Sequence, residues 1–385
     1  MNRVYAEGTR SLWAKVNTSE NKRQRAYSAN RLFAFADYCT SVSTWRVCLV
    51  LVVYCTPALS IMVIFDSVSL QDPRTGWKAN VTFWVRFFVG GLFVGGTILL
   101  HARLVISELS LTSKQIVVIV LTSALGYTAL LMLLAETWMF PVPFTYTIGG
   151  MFFMLILSTL VMLTLGRTNQ EQLVKIFNFT KSLSVQALMA LMYPAYNATF
   201  LALDGDGQLA FVLLLPPMKM SLKYLTAKMN PIDDDFMPAM MSSVDIFDAM
   251  YMTNGVLHAS EAVAMVEYIE AVVPIIYAIY IAILFHLPNA RYYQDMAGFT
   301  EEKLKVVVMN ILAYGVMEML SLLHVQRRIN RQFGVSVFYQ LAFALENEWQ
   351  IYQCCFLSWI IVVFQFLLVH GGVDFSFKFE WINAG

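Results

Sequence analysis

Four carboxylates, Asp245, Asp248, Glu267 and Glu270, form the strongest chemical pattern in the sequence. Each pair is spaced i, i+3, which sets two carboxylates on one helical face. If segments 236–256 and 261–286 form an antiparallel hairpin turning near His258, Asp248 and Glu270 lie at similar distances from the turn and the two acidic faces meet. Four lipid-facing carboxylates would cost on the order of 10 kcal/mol or more, so they are expected to face a cavity, water or each other. Carboxylates at close range raise one another's pKa, and can share a proton or hold a cation. That is the chemistry of a proton- or cation-coupled secondary transporter or channel, with these four residues as its ion or proton site. The plainer alternative is a 236–256 helix lying in the membrane interface with its aspartates solvated.

Three prolines would shape a path beside that site. Pro216 and Pro217 interrupt a short apolar segment and remove two backbone donors, so the segment is expected to be broken or re-entrant. Pro274 shares a face with Ala271 and Ala278, which permits a kink and close helix approach. Gly91 and Gly95, in PheValGlyGlyLeuPheValGlyGlyThr, read as a helix-packing motif, with an oligomer contact as the alternative. Arg86, Glu136 and Lys219 lie within reach of span ends, where long side chains snorkel to water. His101, His286, His324 and His370 sit singly at span ends, where a water-facing tip suffices. Asn80 and Asn197 match the glycan acceptor pattern but abut apolar spans, so no glycan is expected.

The elements that must position these residues follow from composition. Of 385 residues, 58% are hydrophobic and 14% charged, and the mean hydropathy is +0.61. A soluble domain carries about 25% charged residues, so a soluble enzyme and any large water-exposed module are excluded. Lys+Arg and Asp+Glu total 26 each, which points to neither nucleic acid nor an acidic partner. Apolar runs of the length a bilayer requires, about 20 residues, fall at about 45–66, 81–100, 115–136, 144–165, 182–203, 209–225, 236–256, 261–286, 303–323 and 351–370. The fold class is therefore all-α, a polytopic helical bundle of about nine or ten transmembrane helices. It divides into a basic N-terminal arm (1–44), a transmembrane domain (45–370) and a short tail (371–385).

Basic residues beside a first span are retained in the cytoplasm, so the arm places the N-terminus inside. Its Lys22, Arg23 and Arg25 are also suited to anionic lipid headgroups, at roughly 1 kcal/mol per base. Charge counting supports alternating crossings through six spans and then fails. If 236–256 crosses, Arg291, Lys303 and Lys305 are inside; if not, Arg327, Arg328 and Arg331 are. On an insertion scale the two aspartates of 236–256 cost about +5 to +7 kcal/mol, against roughly −2 to −3 recovered from its apolar residues. That segment is therefore interfacial, or buried by its neighbours.

No Walker loop, HisGluXxxXxxHis, GlyXxxSerXxxGly or GlyXxxGlyAsp is present, so neither a cofactor nor an enzymatic activity is indicated. The five cysteines make no CxxC pattern; Cys354 and Cys355, where a span begins, suit reversible acylation. Two other functions compete with transport. One is a non-transporting receptor or scaffold binding partners or lipid through its basic segments. The other is a membrane-embedded transferase using an acidic pair and a divalent metal. The plasma membrane is the default location.

TrpArgVal (45–47), LeuGlnAspProArgThrGlyTrpLysAlaAsn (70–80), GlyTyrThrAlaLeu (126–130) and PheProValProPhe (140–144) occur in an order that resembles a group of multipass membrane proteins of oomycetes, over about residues 45 to 260. The resemblance implies a polytopic fold and transfers no activity or site residue.

Overall fold

The computed structural model describes residues 29–106, 109–166, 172–181, 183–184, 256–293, 298–366 and 368–373, with Met296 and scattered positions between 192 and 221. Every regular element among them is helical. The principal helices are α1 (Ala29–Ser41), α2 (Thr44–Val53), α3 (Thr56–Ser67), α4 (Val81–Val105), α5 (Ser113–Thr137), α6 (Thr145–Leu165), α7 (Val256–Phe285), α8 (Glu301–Phe333), α9 (Val337–Asn347) and α10 (Trp349–Phe366). Among the described residues six spans are long and apolar enough to cross a bilayer: Thr44–Ser67, α4, α5, α6, Val263–Phe285 and α8, with Trp349–Gln365 a shorter seventh. The chain is thus an all-α helical bundle fitted to the membrane by length and composition. The expected spans at 182–203, 209–225 and 236–256 lie largely or wholly outside the described residues.

The chain divides into two compact units. The first comprises Met1–Val52, Asp233–Ala271 and Met317–Asn347. In it α1 packs on α9, with the rings of Phe35 and Tyr38 each 5.5 Å from that of Phe343 in edge-to-face contact. Residues 29–41, read in the sequence as part of a basic arm, therefore form a packed helix. Helix starts leave backbone N–H groups without partners; at α9 those of Val337 and Phe338 donate to Gln326 Oε1 at 2.5 and 3.3 Å. Arg46 pairs with Glu346 at 3.1 Å, and the Tyr268 hydroxyl donates to the Leu51 carbonyl at 2.6 Å.

The second unit comprises Val53–Ile232, Val272–Val316 and Glu348–Gly385. Here α4 lies between α5 and α10, α5 packs along α6, and α3 packs on α10. A capping box opens α5: the Gln115 N–H donates to Thr112 Oγ1 while Gln115 Oε1 accepts from the Thr112 N–H. The close approach of α4 to α5 and α6 depends on two glycines. A Cβ at Gly91 would lie 2.6 Å from the Tyr127 ring, and one at Gly95 would lie 2.8 Å from the Phe153 ring. Tyr127 occupies the space at Gly91 and donates to the Phe87 carbonyl at 2.6 Å.

Helices α4 and α10 run antiparallel, matched by three polar contacts along their length and a fourth just beyond it. Asn80 meets His370 at 3.2 Å, Arg86 meets Gln365 at 2.7 Å, Thr97 meets Ser358, and His101 meets Cys355 at 3.5 Å. Residues 68–80 and 368–373 therefore share one end of this unit, the Asn80 end. Ile106 and residues 109–112 lie at the other, the Ser113 end. Asn289 joins the Asn80 end, accepting from the Leu70 N–H at 2.8 Å and donating to the Asp66 and Val68 carbonyls. The fold continues past residue 370: the Phe144 N–H donates to the Gly372 carbonyl at 3.0 Å, and residues 371–373 are buried.

Candidate functional site

The most polar buried group of the second unit is centred on Asp66, the penultimate residue of α3, and Arg86 of α4. The short AspProArgThrGly turn folds α3 back toward α4. Pro73 opens a turn of 3-10 helix there, and the Asp72 carboxylate accepts from the Arg74 N–H at 2.8 Å. Asn80 tightens the same loop by donating to the Asp72 and Gly76 carbonyls. It is fully buried, which leaves no room for a glycan. The loop returns the chain at the same depth, so Asp66 and Arg86 come to face each other.

Arg86 Nη2 lies 2.5 Å from Asp66 Oδ1, with the side chains 5% and 0% exposed. Arg86 does not reach water by snorkelling, as its position near a span end suggests; a buried counter-charge holds it. Around the pair, Tyr280 of α7 donates to Asp66 Oδ2 at 2.6 Å and Tyr293 donates to Asp66 Oδ1 at 2.7 Å. Arg86 Nε donates to Gln365 Oε1, Nη1 to the Phe65 carbonyl at 3.1 Å, and Nη2 also to the Tyr293 hydroxyl at 3.0 Å. Both Asp66 oxygens thus have donors, and all three guanidinium nitrogens have acceptors. Burial pushes the Tyr293 phenol well above its usual range despite the adjacent guanidinium, so it stays protonated and donates. A net-neutral, fully bonded pair is the form in which ionised groups tolerate a low-dielectric interior.

His370 adjoins this centre at the Asn80 end and does not face water. It is fully buried, stacked on Phe83 with centroids 5.3 Å apart and met edge-on by Tyr292 at 5.0 Å. Its Nε2 is 2.7 Å from the Gln71 carbonyl. That carbonyl can only accept, which assigns the proton to Nε2. Burial lowers its pKa to about 4, and the Gln71 carbonyl opposes the shift. The ring is neutral at physiological pH.

The sequence-derived acidic site is only half described. Asp245 and Asp248 lie outside the described residues, as do Pro216 and the lipid-binding candidates Lys22, Arg23 and Arg25. Glu267 and Glu270 lie on α7, both half-buried, four and seven residues into the apolar span that starts at Val263. Glu267 Oε2 is buried with no hydrogen-bond partner among the described residues. Pro274 lies inside α7, which continues through it, and Pro217 is exposed. Among the described residues no three His, Cys, Asp or Glu side chains cluster in a way that would hold a metal ion.

Asp66 and Arg86 were visible in the sequence as ionisable residues in apolar runs, but not as partners. The signal for the pairing is the short turn between them, which sets the end of one span and the start of the next at equal depth. Tyr280, Tyr293 and Gln365 carried no local signal. No family model, curated protein or solved structure matches this chain. Six apolar helices fit a multipass membrane protein.

Proposed function

We propose that this multipass membrane protein is a proton- or cation-coupled transporter or channel whose ion site is built on Glu267 and Glu270, with Asp245 and Asp248 as the further carboxylates. The observation that carries the reading is Glu267 Oε2, buried without a partner among the described residues on a span apolar enough to cross a bilayer. A carboxylate oxygen left without a donor inside an apolar span is open to a ligand that supplies one. The same span runs on through Pro274, a common helix-bending residue in transport pathways.

The orientation proposed with it has the N-terminus and the Ser113 end in the cytoplasm. Arg103 and Lys114 flank the Ser113 end, and basic residues are retained on the cytoplasmic side. Glu267 lies nearer the start of α7 than its end, in the cytoplasmic half of the span.

Reconstitution into liposomes holding a pH-sensitive dye tests the reading. An imposed cation gradient is expected to move protons in the wild type, and Glu267→Gln is expected to abolish that movement. Flux at the wild-type rate in Glu267→Gln sinks the assignment. The scaffold reading rests on one contrary observation. The cavity between α4, α6 and residues 176–183 has a volume of about 20 Å³, room for about one water, and its lining, including Leu99, Leu157 and Phe179, is almost wholly apolar.

A further inference from the structure

We propose that residues 368–373 form a strap across the Asn80 end that acid releases, with His370 as its latch. Three separate pieces of the second unit hold the strap. Leu368 makes an antiparallel bridge to Tyr293, and the Gly372 carbonyl accepts from the Phe144 N–H at 3.0 Å. His370 Nε2 meets the Gln71 carbonyl at 2.7 Å and Asn80 Oδ1 at 3.2 Å. The Asn80 amide is fixed in turn, because its Nδ2 donates to the Asp72 and Gly76 carbonyls. Both partners of Nε2 are therefore acceptors, and a single ring proton serves both.

The other ring nitrogen makes the latch sensitive to acid. His370 Nδ1 is buried with no partner among the described residues. A neutral ring leaves only a lone pair there. A protonated ring would place an N–H and a positive charge at the same spot, facing no acceptor. The surrounding walls are aromatic: Phe83 stacks on the imidazole, and Phe140 and Tyr292 meet it edge-on at 6.4 and 5.0 Å. Burial is the main reason the ring resists a proton; the Gln71 carbonyl works against that, Arg86 of α4 with it and Asp72 of the 68–80 loop against it. Arg291, 4.8 Å from the Tyr292 ring, is exposed to water.

A released imidazole takes up its proton near pH 6.5, whereas the latched one does so only near 4. The released state binds more protons between these values, so acid shifts the equilibrium toward release by on the order of a hundredfold. The seat tolerates little movement. Gly372 has φ +58°, and a Cβ there would overlap the Val142 carbonyl. Water is also near, since α4 and α6 begin and α5 and α10 finish at this end, where the exposed Trp138 marks the membrane boundary.

The test follows amide hydrogen exchange of the full-length protein in lipid nanodiscs between pH 7 and 4.5, with each rate divided by its intrinsic value. Protection then reads the local opening equilibrium. Peptides covering 140–144 and 368–373 are expected to lose protection at least tenfold, while those covering 113–137 keep theirs. Exchange at the imidazole C2 carbon is expected to show His370 titrating well below pH 6.5. Unchanged protection of 368–373 at pH 4.5 overturns the release, and an equal loss over 113–137 replaces it with general unfolding. An imidazole that titrates near pH 6.5 while the strap stays protected overturns the latch. His370→Asn is expected to hold the strap's protection constant over this range, whatever its level at pH 7. A wild-type pH dependence in that variant assigns the trigger elsewhere and overturns the proposal.

Discussion

The two polar centres differ in how completely they are bonded. Around Asp66 and Arg86 every charged atom has a partner supplied by α3, α4, α7, α10 and the 289–293 turn. On the first turns of the Val263–Phe285 span, Glu267 keeps one buried oxygen without one among the described residues. A charge pair bonded at every charged atom fixes geometry, although Gln365 Nε2 and His370 Nδ1 beside it are buried without partners among the described residues. An open carboxyl is where a ligand gains most. Membrane chains use charge in both ways, and the hydrogen-bond inventory separates them better than hydropathy does.

The largest expected effect comes from opening the closed centre. Asp66→Asn or Arg86→Leu alone leaves a buried partner uncompensated and should cost about 3–5 kcal/mol, read as thermal unfolding in detergent. The double variant Asp66→Asn/Arg86→Leu should lose less than the sum of the two single losses. A double-variant loss equal to the sum of the two single losses would mean that the two groups are not coupled.

Acid should attack the same end next. Unfolded His370 takes up a proton near pH 6.5, and the folded residue does so only near 4. Stability therefore falls as pH drops from 6.5 to 4, by on the order of a few kcal/mol, and levels off below that. His370→Asn should flatten this limb of the stability curve, whatever its effect at neutral pH. An unchanged slope would assign the loss to other groups.

Smaller effects test the frame that holds the closed centre. Gly91→Ala forces a methyl against the Tyr127 ring and should cost about 1–3 kcal/mol, whereas Gly96→Ala, with open space at its Cβ, should be nearly neutral. Thr112→Ala removes the α5 capping box for about 1 kcal/mol. The smallest change is expected at the open centre. Glu267→Gln should leave thermal stability within about 0.5 kcal/mol, and a loss as large as that of Asp66→Asn would show that the two centres do not differ as described.

Much of the scaffold was legible in sequence, because a span announces itself through local composition. The runs at 81–100, 115–136 and 144–165 correspond to α4, α5 and α6, and 261–286 ends one residue past α7, which begins five residues earlier, at Val256. Helix α8 extends ten residues past the expected end at 323, because HisValGlnArgArgIleAsnArgGlnPhe favours helix while lacking the apolarity that signals a span. The Asp66 centre was not legible. Its members come from positions 66, 86, 280, 293 and 365, and only the first two are linked by a short turn. Burial of Arg86 or His370 depends on which distant helix covers it, and no local window contains that information.

The short seventh span, α10, carries a consequence for where the protein resides. At 18 residues, α10 is about 27 Å long, whereas α4 and α5, at 25 residues each, reach about 37 Å. A bilayer core of about 30 Å overshoots the first and falls short of the others. Lipid tails beside α10 are expected to compress while the longer helices tilt. Such mismatch costs fractions of a kcal/mol per Å. Lengthening α10 by two or three leucines should shift the protein toward thicker, sterol-rich membranes, and membrane fractionation would read that redistribution directly.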